Sequence, residues 1–428
     1  MPMLLYLVLF LVLIAVSVPI AFALGVSSVV VFILTNQPLD LLAQRLFTGL
    51  NTFTLVAIPL FILTGELMSV SGILEKLLNF SRLILGKIKG ALLYINIIGS
   101  MFFGGVNGSA VADTSAIGSM LIPASKREYK DPELVASITA ISSITGPLIP
   151  PSVPMLIYAF AASNVSVSGL FLAGIIPGIL IGIGMLIVTY FIVKKKDYPV
   201  PEASNYTGKD VLKIIGWFLV ALVLPVIMIM GIVSGVMTPT EAGCIGVIYS
   251  VLIGFFVTRE LTLESLYQAL YKTTLTSAIV MIMVSIGHVA IWWLTMEGLP
   301  RIVGDAIESF TSSAWIFLLL ILIIYLFVGL FIDQTPAMIM LVPIFAPMAV
   351  SFGIDPIHFG IVTVFALAIG LVTPPVGICL FVSSSIANVP ILNVFKASKY
   401  YFVGLLITLL IVTFIPEVYM WIPKMFGF

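Results

Sequence analysis

The chain of 428 residues is 61% hydrophobic and only 9% charged, with nineteen Lys and Arg against nineteen Asp and Glu. Soluble domains hold roughly 45–50% apolar and about 25% charged residues, so a soluble domain and a disordered chain are excluded. Zero net charge offers no basic face to nucleic acid, and two cysteines without metal-ligand spacing, Cys244 and Cys379, exclude a disulfide scaffold and read as buried thiols.

What remains is a polytopic membrane protein, in keeping with a mean hydropathy of +1.24. An outer-membrane barrel would need alternating strands of roughly ten residues. The apolar runs here, as at 4–34 and 214–233, have the length of membrane helices, which need about 20 residues. The first run lacks a basic start and a cleavage site, so it reads as a first membrane helix and not a removed signal. In chain order, spans are expected at 3–35, 50–71, 134–165, 169–193, 214–235, 242–258, 275–296, 357–389 and 401–424. Segments 91–123 and 314–349 are too long for one straight span, and each carries an Asp in a polar cluster; both read as re-entrant hairpins.

Cationic residues support that layout, because cytoplasmic loops collect Lys and Arg. With the N-terminus inside and each hairpin leaving the side unchanged, sixteen of the nineteen fall inside, and only Arg45, Arg301 and Lys424 fall outside. Segments 71–89 and 298–310 mix apolar and charged residues at helical spacing, as interfacial helices do. The expected organisation is scaffold helices at 1–70, an amphipathic helix at 71–90, and a first transport repeat at 91–193 with its broken helix at 134–165. A cytoplasmic linker at 194–213 leads to second-half scaffold helices at 214–296 and an amphipathic helix at 297–313. A second transport repeat at 314–400, with its broken helix at 357–389, precedes a C-terminal helix at 401–428.

The halves repeat each other. Asp113-Thr114-Ser115 precedes Pro123 as Asp333-Gln334-Thr335 precedes Pro343, ten residues from Asp to Pro in both. Asp131-Pro132 precedes Pro150-Pro151 by 19 residues, and Asp355-Pro356 precedes Pro374-Pro375 by the same 19. Ser71-Gly72-Ile73 and Glu297-Gly298-Leu299 open the two amphipathic segments. The loop 350–355 has no Lys or Arg and should lie outside, so the repeats have opposite topology. Inverted repeats place substrate and coupling-ion sites on discontinuous helices at their interface.

Those discontinuities fall at Gly104-Gly105-Val106-Asn107-Gly108-Ser109, Thr145-Gly146-Pro147, Pro150-Pro151-Ser152, Asp333-Gln334-Thr335-Pro336 and Thr373-Pro374-Pro375-Val376-Gly377. Proline removes a donor and breaks the ladder, freeing carbonyl oxygens suited to sodium, while half-helix N-termini offer N–H groups to an anion. Asp113 and Asp333 would be costly in lipid and are functional candidates, with helix capping as the structural alternative. Glu66 is open between a structural and a functional role, and Glu241, in Thr238-Pro239-Thr240-Glu241, suits a cap. His288 and His358 read as packing residues, and Trp292, Trp293, Trp315 and Trp421 as interfacial anchors.

Nearly the whole chain resembles the large membrane subunit (DctM-like, the M subunit) of tripartite ATP-independent periplasmic (TRAP) transporters. The resemblance rests on Val18-Pro19-Ile20-Ala21-Phe22-Ala23-Leu24-Gly25, Ile58-Pro59-Leu60-Phe61, the run from Gly104 to Asp113, Thr238-Pro239-Thr240-Glu241-Ala242-Gly243 and Thr373-Pro374-Pro375-Val376-Gly377. It implies an all-α elevator-type transporter in the bacterial inner membrane, driven by sodium as coupling ion and needing no cofactor. The implied partners are a small four-helix membrane subunit and a soluble periplasmic substrate-binding protein. The implied substrate is a carboxylate such as a C4-dicarboxylate, a keto or sugar acid, or sialic acid.

On that resemblance, Ser109 or Ser152 would contact the substrate carboxylate, and Asp333 and Thr335 the polar remainder. One sodium would sit by Asn107, Gly108, Asp113, Thr145 and Gly146, a second by Asp333, Thr373, Pro374 and Gly377. A stand-alone sodium/carboxylate symporter is the competing reading. An intramembrane protease lacks a base paired to Ser109, and no G-x-x-x-x-G-K-[ST] motif supports an ATP-driven pump.

Overall fold

Prolines and left-handed turns decide where each apolar stretch bends. The computed structural model describes residues 2–163, 165–196, 198 and 206–428, and all regular elements among them are helical. The first stretch is two helices, α1 (Pro2–Ala15) and α2 (Ile20–Leu34). Ser17 takes a left-handed φ of 66° and the Val18 N–H closes back on Leu13 O at 3.0 Å. Pro19 then starts α2, the usual order of a helix stop. A further helix, α3 (Leu39–Leu50), fills the stretch between the first two expected spans.

Next, α4 (Ala57–Val70) and α5 (Ile73–Leu85) meet at 63° across Gly72, whose φ is 75°. The expected interfacial helix therefore packs on protein, because Ile73, Leu74, Leu77 and Leu78 of α5 are all buried. The first hairpin is α6 (Ala91–Asn107) and α7 (Ala110–Tyr129), joined by Gly108 and Ser109 alone; α7 runs through Pro123 past its expected end. The first broken helix is α8 (Pro132–Ser142) and α9 (Val153–Ala161), separated by a tight turn and the cis Pro150–Pro151 bond. After α10 (Val167–Lys195), residues 197 and 199–205 of the expected linker lie outside the described residues.

The second half opens with α11 (Gly208–Val233), α12 (Pro239–Leu252) and the long α13 (Leu263–Met296). Glu241 caps α12, accepting from the Thr238 N–H at 2.7 Å and the Thr238 hydroxyl at 2.9 Å, so its role is structural. Next come α14 (Leu299–Phe310), begun by Gly298 at φ 80°, and the second hairpin, α15 (Ala314–Gly329) and α16 (Gln334–Ser351). The second broken helix is α17 (Pro356–Gly370) and α18 (Ile378–Ala387), with a second cis bond at Pro374–Pro375. α19 (Ile391–Ala397) leaves α18 at 105°, and the expected C-terminal helix is two, α20 (Lys399–Phe414) and α21 (Glu417–Met425), bent by 54°. Five helices among the described residues are long and apolar enough to cross a membrane, or up to eight if each bent pair is one span.

The core lies where the repeats cross. Every residue of α8 from Leu134 and of α17 from Ile357 is buried, so these half-helices form the centre. Trp293 belongs to this interior, stacked on Tyr6 at 5.4 Å, and is not an interfacial anchor; Trp315 and Trp421 are exposed. Cys244 is exposed as well, and only Cys379 is a buried thiol. His358 is a packing residue whose Nδ1 meets the Tyr419 hydroxyl at 2.5 Å.

In both halves a glycine late in the first hairpin helix touches the glycine four residues before the Pro-Pro pair. A Cβ on Gly104 would lie 2.8 Å from Gly146 Cα, and one on Gly370 would lie 2.4 Å from Gly329 O. Gly370→Ala should therefore cost about 1–3 kcal/mol through forced backbone movement. Gly404→Ala, whose Cβ would meet only Val188 at 3.7 Å, should leave stability unchanged or slightly raised. Thermal unfolding in detergent separates the two; equal midpoints would contradict backbone contact at the Gly329–Gly370 crossing.

Candidate functional site

The two hairpin tips open on one cavity of about 540 Å³. Residues 107–112 of the first hairpin and Asp333, Gln334 and Thr335 of the second line one wall, with Val153 and Pro154 at the start of α9. Glu66 and Ser69 of α4, and Lys272 and Thr276 of α13, line the wall opposite. The N-termini of α7, α9 and α16 thus converge on one space. Their unpaired N–H groups and positive dipole ends make it a place for an anion.

Local chemistry holds the first tip. Gly108 has φ 66°, and a Cβ there would meet Pro151 O at 2.5 Å, so only glycine lets the tip rest on the proline break. Asn107 Oδ1 accepts from the Ser109 N–H at 2.8 Å, while its amide nitrogen is buried with no partner among the described residues. Ser109 caps α7, its hydroxyl accepting from the Ala112 N–H at 3.4 Å. Gly65 of α4 presses on Asn107 from the other wall, a Cβ there lying 3.0 Å from Asn107 O.

The serines proposed for the carboxylate divide. Ser109 faces the cavity. Ser152 is fully buried and does not line it; its hydroxyl donates to Pro147 O at 2.6 Å and accepts from the Met155 N–H at 3.3 Å, shaping the break. Thr145 donates to Ser142 O at 2.7 Å, and Gly146 packs between Gly104 and Ser109. Asp113 is not at the tip. It is fully buried behind it, and neither carboxylate oxygen has a hydrogen-bond partner among the described residues. Ser143 and Ser100 lie beside it, but Ser143 donates to Thr139 O at 2.8 Å and Ser100 pairs with Ser142 at 2.8 Å.

At the second tip, Asp333 occupies the capping position of α16 without a side-chain cap bond; its carboxylate lies beside the Gln334 N–H and lines the cavity. The Gln334 amide nitrogen donates to Val364 O at 3.0 Å and pins the hairpin to α17. The second break is tied to the hairpin through the Val376 N–H to Leu330 O at 3.3 Å. Thr373 donates its hydroxyl proton to Ile369 O at 2.7 Å, and Gly377, at φ 47°, closes over Thr373 O. Thr373, Pro374 and Gly377 do not line the cavity; Leu371 does.

Glu66, open between two roles in the sequence, lines the cavity, and Lys272 joins it from a stretch expected to be a cytoplasmic loop. Thr262 and Ser265 form a capping box that starts α13 at Leu263, upstream of the expected 275, which makes Lys272 a helix residue on the cavity wall. On α7, Ser115 and Ser119 extend the Ser109–Ala112 face at helical spacing. A second cavity of about 510 Å³ lies between α3 and α13 on one side and α9 and α16 on the other, lined by Thr48, His288 and Pro343.

This architecture has known relatives. Residues 7–418 match the DctM component of the tripartite ATP-independent periplasmic transporters. The sialic acid TRAP transporter large permease SiaM of Vibrio cholerae is 37% identical over 96% of this chain and 96% of its own. The C4-dicarboxylate TRAP transporter large permease DctM of Pseudomonas aeruginosa is 35% identical over 95% of this chain and 94% of its own. The YdaH transporter of Alcanivorax borkumensis, 15% identical, shares the fold with a TM-score of 0.67 over 99% of both chains. The chain belongs to the DctM component family of tripartite ATP-independent periplasmic transporters, multi-pass proteins of the bacterial inner membrane.

Proposed function

We propose that this chain is the permease subunit of a sodium-coupled importer of a carboxylate substrate, and not an enzyme. The observation that carries this reading is the convergence of three helix N-termini and two hairpin tips on one cavity. Ser109 and the free amides of α7 and α16 hold the carboxylate; Asp333 and Thr335 take the polar remainder of the substrate. Ser152 acts one step back, keeping the break in shape. Sialic acid and C4-dicarboxylates, named for the Vibrio and Pseudomonas relatives, share the carboxylate that this site suits.

Sodium binds on carbonyl oxygens at the two breaks, beside Asn107, Gly108, Thr145 and Gly146, and beside Asp333, Thr373, Pro374 and Gly377. Asp113 contributes its charge from behind the first site. Hairpins and broken helices move together as one body against α4 and α13, an elevator step that exchanges the tip cavity for the second cavity. A small four-helix membrane subunit braces the scaffold, and a soluble periplasmic binding protein delivers the substrate.

Asp333→Asn should lower uptake at least about tenfold, the worth of one charge-assisted contact, while the protein stays folded. Normal uptake by that variant would remove Asp333 from the site. Pro150→Ala and Pro374→Ala let the helices continue, so both should raise the sodium concentration needed for half-maximal uptake. Unchanged sodium activation in both would count against ion binding at the breaks.

A further inference from the structure

Away from the tips, a cavity of about 410 Å³ opens between the first turn of α15, the turn after α16, the start of α17 and the junction of α20 with α21. Each of these is a helix end. The turn after α16 is the loop 350–355 that the charge pattern places outside, which puts the cavity near that surface. Its lining joins two chemistries. Trp315, Leu318 and Phe414 are apolar, the two rings stacked at 5.3 Å and 3°. Asp355, Glu417 and Lys424 are charged.

The charged residues are unspent. Lys424 forms no ion pair within 4 Å with either carboxylate among the described residues, although all three face one space. Asp355 uses Oδ1 for the N–H groups of Ile357 (2.8 Å) and His358 (3.3 Å), which leaves Oδ2. His358 is already engaged by the Tyr419 hydroxyl and the Thr413 carbonyl. The available set is two carboxylates and one ammonium, held apart beside apolar residues.

We infer that this cavity binds the headgroup of a zwitterionic phospholipid carrying a primary ammonium, of the phosphatidylethanolamine kind. The lipid phosphate meets Lys424, the ammonium donates to Glu417 and to Asp355 Oδ2, and the acyl chains run down Trp315 and Phe414. An anionic headgroup would bring its charge to a site with two carboxylates and one cation. A quaternary ammonium has no N–H to give them. The bound lipid ties α20 and α21 to the hairpin and broken helix of the second half.

The test uses the full chain in nanodiscs of equimolar phosphatidylethanolamine, phosphatidylcholine and phosphatidylglycerol, with retained lipids counted by native mass spectrometry. Wild type should keep phosphatidylethanolamine in preference to both others. Glu417→Gln and Lys424→Gln, both at exposed side chains, should each cut that preference about tenfold, the worth of one charge-assisted hydrogen bond. Equal retention of the three lipids, preference for phosphatidylglycerol, or a preference unchanged in both variants would overturn the inference.

Discussion

The structure depends on how backbone groups released at two proline breaks are satisfied where lipid can offer them nothing. In the first half the answer is a side-chain hydroxyl, in the second another backbone, and in both a glycine pair brings the hairpin to contact distance. Gly104 against Gly146, and Gly329 against Gly370, let a hairpin helix lie directly on a break, while Val376 N–H to Leu330 O and Ser152 to Pro147 O satisfy groups the breaks expose. Those contacts fix the hairpin tips, and the tips fix the cavity.

The same crossings give the site its division of labour. The N-termini of α7, α9 and α16, with Ser109, Ser152 and Asp333 at their capping positions, gather on the hairpin side, where amides and dipoles favour an anion. Charged side chains, Glu66 and Lys272, stand on α4 and α13 opposite. Under the proposed carrier motion this separation matters, because contacts shared across the seam would oppose the movement. The small residue at Gly65, seated on Asn107, keeps the seam close without interlocking it.

Much of this was legible in the residues. Matched Asp-to-Pro spacings located both hairpins and both breaks, since proline and glycine act on the local backbone whatever surrounds them. The tip set Asn107, Gly108, Ser109, Asp333 and Thr335 does line the cavity. What escaped depends on packing. The period of α5 is the same on a membrane surface as on α6 and α11, so its burial could not be read locally. Ser152 has the residue type of a ligand but spends its hydroxyl on Pro147, a contact across five residues of irregular chain. Asp113 repeats Asp333 in spacing yet lies in the core, because α7 begins three residues before it and turns it away from the tip.

The most direct measurement is uptake of labelled carboxylates by proteoliposomes holding this chain with the proposed small membrane subunit, under an inward sodium gradient, with and without the proposed binding protein. Uptake that requires both sodium and the binding protein is the expected result. Sodium-driven uptake at full rate without the binding protein would contradict the tripartite reading, and uptake indifferent to the sodium gradient would contradict cation binding at the breaks.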